Sequence, residues 1–220
     1  LGPEAGPGES DYTRYDRDIA EHTVRWLRDE APKQVDKPWV LYVGFVAPHF
    51  PLIAPQPFWD LYADQDLPWP KCYAKEERPH HPFIDRQRNA MCYDEGFTDA
   101  QMVRRALIGY LGLTSFMDDN VGKILNEVEA QGLWRNTRVL YASDHGDNLG
   151  ARGLWGKSTM YEESAGIPMI LAGPDVPSGN RVDAPVSLVD VFQTTIESLG
   201  VPTHSEDANL PGHSLIGIAR

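Results

Sequence analysis

Apolar side chains recur at helical spacing between residues 11 and 30, where Tyr12, Tyr15, Ile19, Thr23, Trp26 and Leu27 form a stripe. Ser10 or Asp11 suits the N-cap, and Pro32 closes the segment. Residues 39–46 (WVLYVGFV) are a near-continuous apolar run bounded by Pro38 and Pro48, the pattern of a strand buried on both faces of a parallel sheet. A second helix is predicted from a capping box of Thr98 with Gln101. Its apolar face carries Leu107, Tyr110, Leu111, Thr114, Met117, Val121, Ile124, Leu125 and Val128, and Gly132 lies past its end. Residues 137–143 (TRVLYAS) and 167–172 (IPMILA) read as strands. A last helix runs from Ser187 through Leu188, Val191, Phe192, Thr195, Ile196 and Leu199 to a stop at Gly200. Helix, strand, helix, strand, strand, helix is the order of an α/β fold with a mostly parallel sheet flanked by helices.

Two segments fall outside this pattern. Residues 1–10, rich in Gly and Pro, read as a linker or frayed lead-in. Residues 48–99 are dense in Pro, aromatics and charge and too long for an ordinary connection, so a surface insertion is expected over about 67–98. Its Trp69, Tyr73, Phe83 and Tyr93 are candidates for substrate selectivity or oligomer contacts.

Ligands of open α/β sheets collect beyond the carboxyl ends of strands. The first predicted strand leads into Ala47-Pro48-His49, and the second into Asp144-His145-Gly146-Asp147. Asp144 and His145 offer a hard oxygen and an imidazole side by side, a pair suited to a divalent cation such as Ca²⁺, Mn²⁺ or Zn²⁺. The plainer alternative is a capping aspartate and a satisfied surface histidine. The stretch that follows, residues 146–166, has four glycines before Lys157, and long ordered loops at strand ends usually carry function. Lys157, between Gly156 and Ser158, could steady a developing anionic oxygen or simply be solvated. His49, set between Pro48 and Phe50-Pro51, could donate a proton to a leaving group or be a packed loop histidine.

Composition narrows the classes. The 220 residues carry 20 Lys and Arg against 32 Asp and Glu, a formal net charge of −12, which argues against nucleic acid or an anionic membrane as partner. No apolar run reaches the roughly 18 residues of a membrane span. With only Cys72 and Cys92, a disulfide framework or cysteine-built zinc site is excluded, although the two could pair or stay reduced. There is no phosphate-binding Gly-rich loop, no Gly-x-Ser-x-Gly elbow and no dinucleotide fingerprint.

The stretch ASDHGDNLGARGLWGKS, within residues 133–173, resembles the second signature region of the sulfatase family of the alkaline-phosphatase superfamily, close to choline-sulfatases and phosphonate monoester hydrolases. VGFVAPHFPLIAPQPFWDLY resembles that family's Pro-His-x-Pro segment, FMDDNVG its preceding helix, and PVSLVDV and PGHSL its tail. The resemblance spans nearly the whole chain except the lead-in and residues 67–98. It implies that Asp144 and His145 ligate a divalent cation, with Ca²⁺ the leading expectation and Mn²⁺ or Zn²⁺ as alternatives. It further implies that Lys157 contacts the sulfate or phosphate, and that His49 binds the same group and acts as general acid. The family's nucleophile is a formylglycine made from a cysteine in a Cys-x-Pro-x-Arg motif, or from a serine there. Here Cys72 precedes Tyr-Ala-Lys and Cys92 precedes Tyr-Asp-Glu, so neither carries that motif. The resulting expectation is the carboxyl-side part of a metal-dependent, formylglycine-type sulfuric ester hydrolase, inactive alone and completed by the remainder of the sulfatase chain. The alternatives are a phosphonate monoester or phosphodiester hydrolase and a non-catalytic binding module. A small sulfate ester is the expected partner, with a homo-oligomer as a further expectation.

Overall fold

The computed structural model describes residues 4–220, without the side chain of Tyr93; the first three residues of the expected lead-in lie outside the described residues. The chain divides into two compact units. One takes the chain up to Val24 with Val43–Leu125 and His145–Gly166, and the other takes Arg25–Tyr42, Asn126–Asp144 and Ile167–Arg220.

The first unit is organised by helix. Strand β1 (Gly6–Pro7) pairs in parallel with β2 (Ile53–Ala54), in register Gly6 with Ile53 and Pro7 with Ala54. Ala5 is fully buried, and the Gly6 and Gly8 N–H groups donate to the Leu52 and Ala54 carbonyls at 3.1 and 2.8 Å. Next come α2 (Gln56–Ala63) and, inside the expected insertion, α3 (Pro82–Met91). The long α4 (Ala100–Ala130) follows, and later the short α5 (Glu162–Ala165). The cap of α4 differs by one residue from the predicted box: Asp99 Oδ1 accepts the Met102 N–H at 2.8 Å, because a carboxylate at that position reaches the first turn's unpaired donors. Side chains at Gly109 and Gly112 would overlap the Leu52 carbonyl oxygen and crowd Ala54, so two bare positions let the β2 segment lie against α4. Leu52, Trp59, Val103, Leu107, Phe116 and Trp155 anchor the core, and the Phe58 and Phe116 rings meet edge to face at 5.5 Å.

The helix α1 (Asp11–Asp29) has the predicted span but a different buried stripe. Thr13, Asp16, Ala20, Thr23 and Leu27 are buried at i, i+3, i+4 spacing, while Tyr12 and Tyr15 remain largely exposed. A carboxylate therefore occupies the inner face where the apolar pattern pointed elsewhere. The reason lies in the bonds that Asp16 makes.

The second unit holds β3 (Val139–Ala142) and β4 (Met169–Ala172), paired antiparallel from Val139–Ala172 to Ala142–Met169. It also holds α6 (Asp190–Leu199) and α7 (Leu215–Ala219). Thr194 ties these two helices together, its hydroxyl donating to the Asp190 carbonyl at 2.7 Å and accepting the Leu215 N–H at 2.9 Å. Gly200 ends α6 in the left-handed conformation that the sequence predicted, at φ +64°.

Helices with a few strands are those of an α/β domain, as the sequence indicates. The predicted strand over residues 39–46 is a correction: it enters no ladder among the described residues, and Tyr42 is 90% exposed. Hydrophobicity alone does not make a strand, because its N–H and C=O groups need a neighbouring strand. No helix among the described residues is long and apolar enough to cross a membrane. Cys72 and Cys92 are both exposed thiols and do not pair with each other.

Candidate functional site

The loop over residues 146–166, in the first unit, is built on its own buried polar groups. Asp147 Oδ1 accepts the N–H groups of Leu149 at 2.8 Å and Gly156 at 3.0 Å, closing the loop on itself. Asn148 is buried; its backbone N–H donates to the Gly156 carbonyl at 2.8 Å, and its Oδ1 accepts from the Thr159 hydroxyl at 3.0 Å. The Ser164 hydroxyl bonds the Lys157 carbonyl, and the Gly146 N–H donates to the Ser164 carbonyl at 2.8 Å. A side chain at Gly146 would run into the Glu163 carbonyl oxygen, so a glycine is required at this crossing. Burial raises the Asp147 carboxyl above the usual carboxylate range, against the two N–H donors and the nearby imidazoles of His145 and His49.

The insertion braces this loop. Phe97 stacks on Trp155 with centroids 3.8 Å apart and planes 6° from parallel. Lys71 pairs with Glu163, which also accepts from Arg152 at 2.9 Å. Arg152 in turn lies 3.9 Å over the Tyr161 ring. Burial alone would raise the Glu163 carboxyl, but the bonds from Lys71 and Arg152 outweigh it and bring it down to about 2.

Held in this way, Lys157 reaches a histidine 108 residues earlier in the chain: its Nζ lies 3.2 Å from His49 Nε2. His49 Nδ1 is 2.8 Å from the Phe50 carbonyl oxygen, which assigns the ring proton to Nδ1 and leaves Nε2 to accept from the ammonium. His145 shows the same device, with Nδ1 2.7 Å from the Gly146 carbonyl, and its ring centroid lies 6.4 Å from that of His49. Three predicted site residues, His49, His145 and Lys157, are thus gathered within one unit. Asp144 follows β3 in the second unit, at the residue before His145.

Two contributors escape the motif reading. Asp16 is 0% exposed and accepts the Val46 and Ala47 N–H groups, both at 2.8 Å, just ahead of His49. Tyr12 sets its ring against His49 at 6.2 Å and 79°. The clue in the sequence was the misfit of an aspartate within a helix face otherwise filled by small and apolar residues.

Asp144 and His145 are donors of the kind a divalent cation takes. One carboxylate oxygen and one imidazole have the right chemistry. Among the described residues, however, no group of three or more His, Cys, Asp or Glu side chains is placed to hold an ion, so the residues present do not make a complete metal site.

A family model described as Sulfatase matches residues 3–201. The choline-sulfatase of Rhizobium meliloti (strain 1021) is 31% identical over 222 residues, covering 98% of this chain and 43% of that protein. A multifunctional alkaline phosphatase superfamily protein of Trinickia caryophylli is 31% identical over 183 residues, covering 76% of this chain and 35% of the relative. Among solved structures, the phosphonate monoester hydrolase of Silicibacter pomeroyi superposes with a TM-score of 0.76 at 25% identity, covering 92% of this chain and 41% of that one. The chain therefore spans less than half the length of these relatives. A match of this extent places the protein in the sulfatase family.

Proposed function

We propose that the chain forms part of a sulfuric ester hydrolase, in which Lys157 and His49 bind the ester's anionic group. The observation that carries this reading is the 3.2 Å approach of the Lys157 ammonium to His49 Nε2. An ammonium held there opposes the negative charge that grows on the departing oxygen. Because Nδ1–H rests on the Phe50 carbonyl, Nε2 is the nitrogen that takes up and hands over a proton. Protonated at Nε2, His49 acts as general acid toward the alcohol leaving group. Asp144 and His145 contribute two donors toward a divalent cation, Ca²⁺ first and Mn²⁺ or Zn²⁺ as alternatives. The other donors and a formylglycine nucleophile lie outside these 220 residues, which contain no Cys-x-Pro-x-Arg motif.

Hydrolysis of phosphonate monoesters is the second reading, favoured by the likeness to the Silicibacter pomeroyi hydrolase. Turnover of an aryl sulfate and an aryl phosphonate monoester by the intact polypeptide, nucleophile included, separates the two. Faster sulfate hydrolysis is expected, and faster phosphonate hydrolysis would reverse the order of the readings. Inertness to both would leave a non-catalytic sulfatase-like module.

A further inference from the structure

We propose that Asp16, assisted by Tyr12 one helical turn earlier, is a positioning residue for His49. Its carboxylate is fully buried, a placement that costs free energy unless its oxygens are bonded. Both oxygens are bonded: Oδ1 accepts the Val46 N–H and Oδ2 the Ala47 N–H, each at 2.8 Å. Pro48 has no N–H, and the His49 N–H donates to the Val46 carbonyl at 3.0 Å. Every backbone donor from Val46 to His49 is therefore committed, two of them to one side chain of α1.

The same helix also meets the ring. Residues 12 and 16 are neighbours on a helix surface, and the Tyr12 ring stands edge-on to His49 while Phe50 lies against it at 4.3 Å. One turn of α1 thus grips the histidine through its backbone and its ring together. A helix packed through apolar contacts alone would need no carboxylate here. Asp16 lies too deep to touch an ester, so its effect must pass through the direction in which His49 Nε2 points.

The second unit supplies a matched control. Asp190 also accepts two backbone N–H groups, from Ser187 at 2.7 Å and His213 at 2.8 Å, but it pins a loop that carries no proposed site residue. In D16N one amide oxygen replaces two carboxylate oxygens, so either Val46 or Ala47 N–H faces an amide NH₂. Misplacement on this scale is expected to lower kcat roughly 10- to 100-fold, with KM changed less than about threefold. The nuclear Overhauser effect between the Tyr12 and His49 rings should weaken in parallel. D190N should leave both readouts at wild-type values.

A folded D16N with wild-type kcat and ring contact would overturn the inference, as would an equal loss of kcat in D190N. If D16N does not fold, Tyr12→Leu takes its place, since the Tyr12 side chain is 42% exposed. It should lower kcat several-fold and shift the His49 ring resonances, and no change in either would count against the proposal. The kinetic arm rests on the function proposed above. Should the wild-type polypeptide turn over neither ester, that function fails, while the ring contact in D16N against D190N still decides the positioning role.

Discussion

Asp16 in the first unit and Asp190 in the second make the same bonds, yet their acidities move in opposite directions. Burial is the larger influence on Asp16 and raises its carboxyl, against the Val46 and Ala47 N–H donors. For Asp190 the N–H donors of His213 and Ser187 dominate and lower it, because its carboxylate gives up less hydration. Identical hydrogen bonding therefore does not settle the sign of a shift; the depth at which the bonds are made does. Asp147, on the loop that carries Lys157, follows the first pattern. The first unit thus holds two carboxylates at a cost to their charged forms, both beside proposed site residues, whereas the second unit's carboxylate is stabilised by the bonds that shape its fold.

The largest effect that tests this contrast concerns activity without stability. Lys157 is exposed and ends in the proposed site, so Lys157→Ala should lower aryl sulfate turnover by about 100- to 1,000-fold. The unfolding free energy should change by no more than about 0.5 kcal/mol. A urea titration showing a large loss of stability would make Lys157 part of the scaffold.

Next is the reverse case, stability at the loop crossing. Gly146→Ala drives a methyl group into the Glu163 carbonyl oxygen, and overpacking of this kind costs about 1–3 kcal/mol. Denaturant unfolding measures it, and a neutral result would mean that the loop yields easily.

Acid titration reads the carboxylates directly. Asp190 has a lowered folded-state pKa, so its contribution is present above the ordinary value of 3.8 and is lost as the pH falls below it. Glu163 behaves alike, its contribution fading as the pH falls from 4.5 to about 2. Asp16 has the opposite sign: its raised folded-state pKa opposes folding once it is ionised, and that opposition is relieved on acidification. Unfolding followed down the pH scale should therefore show a shallower acid loss for Glu163→Gln than for the wild type, and a steeper one for D16N. Equal slopes would show that these carboxyls titrate alike in the folded and unfolded chain.

The smallest effect is expected in the second unit. Gly217 lies within α7, and a methyl group there meets nothing within 4 Å. Gly217→Ala should stabilise the helix by up to about 1 kcal/mol. A loss in thermal unfolding would reveal packing around α7 that the open position does not suggest.

The helices α1, α4 and α6 were legible along the chain because they depend on local rules, whereas α2 and α3 lie in the stretch that reads as irregular. The α1 span follows from its period and cap, the ends at Gly132 and Gly200 from the left-handed turns that glycine adopts there, and the loop of residues 146–166 from its glycines and motif. Residues 39–46 misled because an apolar run signals burial, whereas strand pairing depends on a partner elsewhere. Asp16 escapes a periodic pattern, because periodicity sorts residues by polarity and ranks a buried aspartate as a fault.

The sequence by itself determined the family and the positions of α1, α4 and α6, since each is written in short stretches of neighbouring residues. Only the tertiary structure decided that Lys157 meets His49, that an aspartate of α1 holds the turn before that histidine, and that the insertion braces the loop of residues 146–166 through Phe97 and Trp155. Those contacts join residues tens to more than a hundred positions apart. Local propensity cannot specify them, and packing together with the need to pair every buried polar group does.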